Sequence, residues 1–140
     1  MVQDTIQTRK TILLVEEDEA LRNSLEFLLE LSDLNYLSAS NGEDAVQILS
    51  TSSIDIIITD FQMPKMNGIE LLKWCRSRQV HIPVIFISAN VDLMKEEEIA
   101  LEDCCATLME KPLNLEIFEE AIYSAMLKIH HPNCVHSSNH

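Results

Sequence analysis

Five side chains carry the chemistry legible in this sequence: Glu16, Glu17, Asp60, Ser88 and Lys111. Each lies at or just past the end of a short β-rich run. Glu16 and Glu17 follow TILLV (11–15), Asp60 follows IDIIIT (54–59), Ser88 ends VIFIS (84–88), and Lys111 follows the weaker run at 107–109. In an open parallel sheet the carboxyl ends of the strands form the ligand crevice, so two carboxyl clusters, a hydroxyl and an ammonium are expected to converge on one rim. Carboxylates crowded there repel one another unless a cation joins them. A hard divalent ion such as Mg2+, taking oxygen ligands and keeping several waters, resolves that conflict.

Each residue also has a plainer explanation. Acids at 16–19 suit the first turn of any helix, where they favour the dipole. Ser88 would serve as a turn hydroxyl and Lys111 as a surface lysine ahead of Pro112. Asp60 stands between an apolar strand and the rigid Met63-Pro64 pair, a boundary that fixes it more firmly than an ordinary loop aspartate. The convergence of all these residues on strand ends, rather than any one of them, marks a chemical site.

The elements that must position them follow from periodicity. The nearly continuous apolar runs at 11–15, 54–59 and 84–88 fit strands covered on both faces, while the weaker runs at 36–39 and 107–109 belong nearer the edges. Helical patterns alternate with them. Ala20, Leu21, Ser24, Leu25 and Leu28 give one small or apolar face through about Leu31. Shorter helices are predicted over 42–49, with Asn41 as cap, and over 68–78, with Ile69, Leu72 and Cys75 on one side. A fourth is predicted over 92–101, and a last one carries Phe118, Ala121, Ile122, Ala125, Met126 and Ile129 after Asn114 as cap. Strand–helix alternation repeated five times argues for an α/β fold with a parallel sheet.

Bulk composition narrows the function classes. The chain of 140 residues fits one domain, here 10–129, with an N-terminal extension at 1–9 and a frayed polar tail at 130–140. Ten Lys and Arg against 23 Asp and Glu give a formal charge of −13, which repels a nucleic-acid backbone. No apolar run reaches the roughly 20 residues of a bilayer span, and MVQDTIQTRK lacks a secretory core, so a cytoplasmic chain without membrane contact is expected. Cys75, Cys104, Cys105 and Cys134 show no C-x-x-C spacing and are expected as reduced thiols. The five histidines, four of them in the tail with Cys134, show no recognised ligand spacing.

The stretches ILLVEEDEALR (12–22), IIITDFQMPKMNGIELL (56–72), VIFISAN (84–90) and EKPLN (110–114) resemble the receiver domain of two-component response regulators. The D-x-x-M-P-x-x-x-G spacing from Asp60 to Gly68, with the strand-end acids and the later Lys-Pro, is specific. The resemblance implies a CheY-like, flavodoxin-like fold: a doubly wound five-stranded parallel sheet in the order 2-1-3-4-5 with five helices. It implies that Asp60 is the phosphoacceptor and that Glu16 and Glu17 hold Mg2+ together with Asp60 and the backbone carbonyl of Gln62. Ser88 matches the switch hydroxyl, Ala89 the small residue beside it and Lys111 the phosphate-pairing lysine, while Gln62 and Asn90 match positions that tune phosphate lifetime. A sensor histidine kinase or phosphotransfer protein is the implied donor. The implied output surface is the fourth helix, fifth strand and last helix, which contact a downstream protein. Such a domain is a switch rather than an enzyme.

Two departures qualify the likeness. Glu17 stands where the family usually has Asp, one methylene longer at an ion demanding near-octahedral geometry. Leu108 stands where the family usually has Tyr or Phe, and leucine has neither ring nor polar tip. They motivate an alternative, a pseudo-receiver that works as an interaction module without phosphate. A flavodoxin-like FMN carrier would need phosphate-binding donors after the first strand, where this chain has acids. A haloacid-dehalogenase-type phosphatase would need Asp where this chain has Gln62.

Overall fold

In the computed structural model, residues 10–61, 66–88, 106–111 and 113–128 are described. Five strands, β1 (Thr11–Val15), β2 (Asn35–Ala39), β3 (Ile56–Asp60), β4 (Val84–Ser88) and β5 (Ala106–Glu110), form one sheet in the order β2-β1-β3-β4-β5. Every pairing is parallel. Four helices are described: α1 (Glu19–Leu31), α2 (Gly42–Thr51), α3 (Gly68–Ser77) and α4 (Leu115–Lys128). The predicted helix at 92–101 lies outside the described residues, as do both predicted terminal segments, 1–9 and 130–140. Among the described residues no helix is long and apolar enough to cross a membrane.

Strand alternation divides the core in two. Ile12, Leu14, Ile56, Ile58, Ile85 and Ile87 point to one face, where Leu25 and Leu29 of α1 and Phe118, Ile122 and Ala125 of α4 cover them. Leu13, Val15, Ile57, Val84 and Phe86 point to the other, against Ala45 of α2 and Ile69, Leu71, Leu72 and Cys75 of α3. Burying each large side chain such as Phe86 or Phe118 contributes roughly 1.5–3 kcal/mol. Because both faces are covered, β1, β3 and β4 read as unbroken apolar runs, and the weaker runs β2 and β5 are indeed the edges.

Two expectations need correction. On α1 the covered face is Leu25 and Leu29, flanked by half-buried Leu21 and Leu28, whereas Ala20 and Ser24 are exposed. The large leucines set the helix rotation, and Ser24 Oγ donates to the Ala20 carbonyl at 3.1 Å. On β3 the strand begins at Ile56 rather than 54. The Asp55 carboxylate accepts the Thr11 N–H at 2.9 Å while the Asp55 N–H donates to the Thr11 carbonyl at 2.9 Å. That exchange joins the start of β1 to the residue ahead of β3, and Ile54 is buried without joining the strand.

The predicted caps are formed. Asn41 Oδ1 accepts the Asp44 N–H and Asn114 Oδ1 accepts the Ile117 N–H, both at 2.9 Å. Asn67 and Glu70 make a reciprocal capping box at the start of α3. Gly68 follows that cap for a steric reason. A Cβ there would stand 2.9 Å from the Asp60 carbonyl oxygen and 2.9 Å from a Phe86 ring carbon. The glycine eight residues after Asp60 therefore lets α3 start directly against the end of β3, and the Gly68 N–H donates to the Phe61 carbonyl at 3.0 Å.

Candidate functional site

The carboxyl edge of the sheet assembles four of the predicted residues at the ends of four adjacent strands, β1, β3, β4 and β5. Asp60 is the last residue of β3, and the next N–H, of Phe61, donates to the Ile87 carbonyl of β4 at 2.9 Å. Ser88 ends β4 and is 7% exposed, and its carbonyl accepts the Lys111 N–H at 2.9 Å. Backbone pairing thus fixes Asp60, Ser88 and Lys111 side by side before any side chain is considered. Thr59 Oγ1 donates to the Asp60 carbonyl at 3.0 Å, bracing the end of β3 from within.

Lys111 Nζ lies 3.5 Å from Asp60 Oδ2, a long ion pair in which the lysine side chain is 25% and the aspartate 14% exposed. Partial burial leaves this pair less screened than a surface contact and leaves it open at the rim.

Glu16, one residue beyond β1, is the most constrained acid. Its N–H donates to the Ala39 carbonyl of β2 at 3.0 Å, and its side chain is buried, with Oε2 accepting the Asp18 N–H at 3.0 Å. Oε1 is buried and meets no hydrogen-bond donor. Burial pushes the Glu16 carboxyl up from 4.5 to about 7, and the neighbouring Asp60 carboxyl adds to the rise by repulsion and by accepting a hydrogen bond from the protonated Glu16, while the Asp18 N–H and Lys111 oppose it. It is the ionised Glu16 that has no donor for one oxygen. A carboxylate held in that state, facing a second one and lacking a donor for one oxygen, is what a divalent cation would satisfy. The donor set therefore fits a hard oxygen-seeking ion at Glu16 and Asp60.

The remaining acids divide. Asp18 is the N-cap of α1, accepting the Ala20 N–H at 3.1 Å, and Glu19 opens the helix. Glu17 is exposed, and among the described residues no three acid, histidine or cysteine side chains are drawn together closely enough to hold a metal. The structure thus gathers Glu16, Asp60, Ser88 and Lys111, but not Glu17. Leu108 is half-buried, pairs in register with Phe86 and packs on the α2/α3 half of the core. Gln62, Ala89 and Asn90 lie outside the described residues.

Sequence reasoning missed Arg22. Its Nη1 donates to the Glu16 carbonyl at 2.9 Å and the Glu17 carbonyl at 3.4 Å, reaching back from α1 to the acidic turn. The only available signal was an arginine within one helical turn of an acid run, and solvated arginines share it.

Comparisons with known proteins bear on the fold that carries these residues. The family model described as "Response regulator receiver domain" matches residues 12–123. The chain is 31% identical over 105 residues to the alkaline phosphatase synthesis transcriptional regulatory protein PhoP of Bacillus subtilis, covering 75% of this chain and 43% of that protein. It is 29% identical over 117 residues to the polar-differentiation response regulator DivK of Brucella anthropi, covering 82% of this chain and 94% of DivK. A response regulator receiver domain from Clostridium thermocellum superposes with a TM-score of 0.77 at 26% identity, covering 86% of this chain and 96% of that one. The chain spans less than half the length of PhoP and of the Regulator of RpoS of Escherichia coli, 43% and 35% respectively.

Proposed function

Given that the chain belongs to the response regulator receiver domain family of two-component signalling, we propose that it is a Mg2+-dependent phosphoacceptor, with Asp60 as the acceptor and 10–129 as the receiver unit. The observation that carries this is the buried Glu16 carboxyl, with Oε1 lacking a donor, beside the half-buried Asp60, whose carboxylate has Lys111 Nζ 3.5 Å away. Phosphoryl transfer asks little covalent chemistry of a protein beyond such positioning and charge. An Asp60 carboxylate oxygen attacks the phosphorus of a phosphohistidine on a sensor kinase or phosphotransfer protein. The O–P bond forms as the P–N bond breaks, and the imidazole leaves with the electron pair and takes a proton from solvent. Lys111 neutralises one phosphoryl oxygen and the Ser88 hydroxyl donates to another.

Glu16, Asp60, the Gln62 carbonyl and Glu17 would hold Mg2+, which supplies positive charge to the transferring oxygens. Glu17, exposed in this structure, would have to turn inward to join them, at a side-chain entropy cost of roughly 1–2 kcal/mol. The phosphorylated carboxyl adds roughly one negative charge to the rim. Ser88 and Lys111, bonded backbone to backbone, respond together and shift the β5 and α4 face toward its downstream protein partner. Gln62 and Asn90 set the lifetime of the phosphate, and Leu108, without an aromatic ring, alters how the switch reaches that face.

The experiment is labelling by a radioactive small acyl phosphate with Mg2+. Wild type takes up label, and Asp60→Asn takes up none. Exposure of Glu17 favours a second reading, an interaction module that keeps the fold without phosphate. Equal background labelling of wild type and Asp60→Asn, with equal partner affinity with and without phosphodonor, would select it.

A further inference from the structure

Glu16 has four polar groups in its backbone and side chain, and three are tied. Its N–H donates to Ala39 of β2, its Oε2 accepts from Asp18, and its carbonyl accepts from Arg22, leaving Oε1 buried without a donor. Two of these ties lie within the main chain or the turn itself. The third comes from a guanidinium that could stay in water. Arg22 has Glu19 and Glu26 one helical turn away on α1, three residues before it and four after it, where surface ion pairs form readily. It nevertheless turns back five and six residues to the Glu16 and Glu17 carbonyls. Both contacts come from one nitrogen, Nη1, at 2.9 Å and 3.4 Å, so a single donor group ties two successive carbonyls and limits how their two peptide planes, hinged at Glu17, turn against each other.

We infer that Arg22 is a positioning residue: it holds the β1–α1 turn in the shape that presents Glu16 Oε1 to the divalent cation, and so sets the affinity of that site. The inference rests on the phosphoacceptor role proposed above. Groups that orient ligands without touching the metal typically change metal affinity by roughly 10–100-fold when removed. Arg22 acts through the carbonyls of the two acids rather than through their carboxylates, so it keeps the turn rigid without occupying the ligand oxygens.

The test is calorimetric titration of the full chain with MgCl2 alone, alongside thermal unfolding in chelator. Arg22→Ala is expected to bind Mg2+ at least roughly 10-fold more weakly than wild type. Arg22→Lys, which keeps a charged donor on a shorter side chain that falls short of the two carbonyls, is expected to show an intermediate loss. A merely structural arginine would lower the melting temperature in chelator and leave the Mg2+ affinity of the folded protein at the wild-type value, which overturns the inference. If Arg22→Ala does not fold, Arg22→Lys decides alone, and wild-type affinity there overturns it. Glu16→Gln separates the two levels. Wild-type binding that is lost in Glu16→Gln and kept in both Arg22 variants refutes only the role of Arg22, whereas wild type binding no better than Glu16→Gln removes the metal site and the inference with it.

Discussion

Among the described residues two formally charged side chains are buried, at opposite ends of the sheet, and they are buried differently. Arg76, near the amino end of β4, is 5% exposed and donates to the carbonyls of Val80 at 2.7 Å and Ile82 at 3.1 Å. It closes the loop that leads from α3 into β4. Glu16, at the carboxyl end of β1, is 2% exposed, has one oxygen without a donor, and carries a carboxyl raised to about 7. The first charge is supplied with partners by its own chain and belongs to the architecture. The second is left short of partners beside another acid, a state that a cation from solution would relieve. A buried charge thus points to function by what it lacks.

The contrast can be broken from either side. Arg76→Met should be the most damaging to stability, about 3 kcal/mol in urea unfolding, because it leaves two carbonyls without their donor. Mg2+ affinity should be unchanged in the same variant, and a loss of affinity would mean that Arg76 also serves the site. Glu16→Gln should do the reverse, lowering Mg2+ affinity by roughly 100-fold in calorimetry, as expected for loss of a charged oxygen ligand, while leaving the fold intact. Gly68→Ala lies between the two, since its added methyl must displace the Asp60 carbonyl or the Phe86 ring. About 2 kcal/mol of stability should be lost on chemical denaturation, with weaker phosphodonor labelling as the end of β3 shifts.

A further effect is a pH dependence whose sign is fixed by the Glu16 carboxyl. Its folded value, about 7, lies above its ordinary 4.5, so between the two the folded chain holds a proton that the unfolded chain has released. That stabilisation is complete below 4.5 and is lost as pH rises through about 7. Without metal, wild type should therefore melt progressively lower relative to Glu16→Gln as pH rises through this window. Mg2+, which requires the ionised form, should reverse the trend above about 7. A pH-independent difference between the two melting curves would remove the perturbed carboxyl from the account.

Much of the architecture was legible because burial on both faces writes β1, β3 and β4 as apolar runs, and because Asn41 and Asn114 precede their helices. The start of β3 was not legible, because Ile54 is apolar and buried yet Asp55 diverts the backbone to Thr11. Arg76 could have been found, since Ile69, Leu72 and Arg76 fall at i, i+3 and i+7 on one side of α3. Strand ends located Asp60, Ser88 and Lys111, but four acids in a row could not reveal that Glu16 is buried, Glu17 exposed and Asp18 the cap. That division depends on where the backbone turns out of β1, a tertiary property set by Ala39 and Arg22.

The most direct measurement is mass spectrometry of the proteolysed chain after incubation with a small acyl phosphate. With Mg2+ present, the phosphoryl group should be found on the peptide that contains Asp60, and chelator should abolish it. An Asp60 peptide that stays unmodified with Mg2+, or that is modified equally in chelator, would contradict the claim that acids and metal at this rim capture phosphorus.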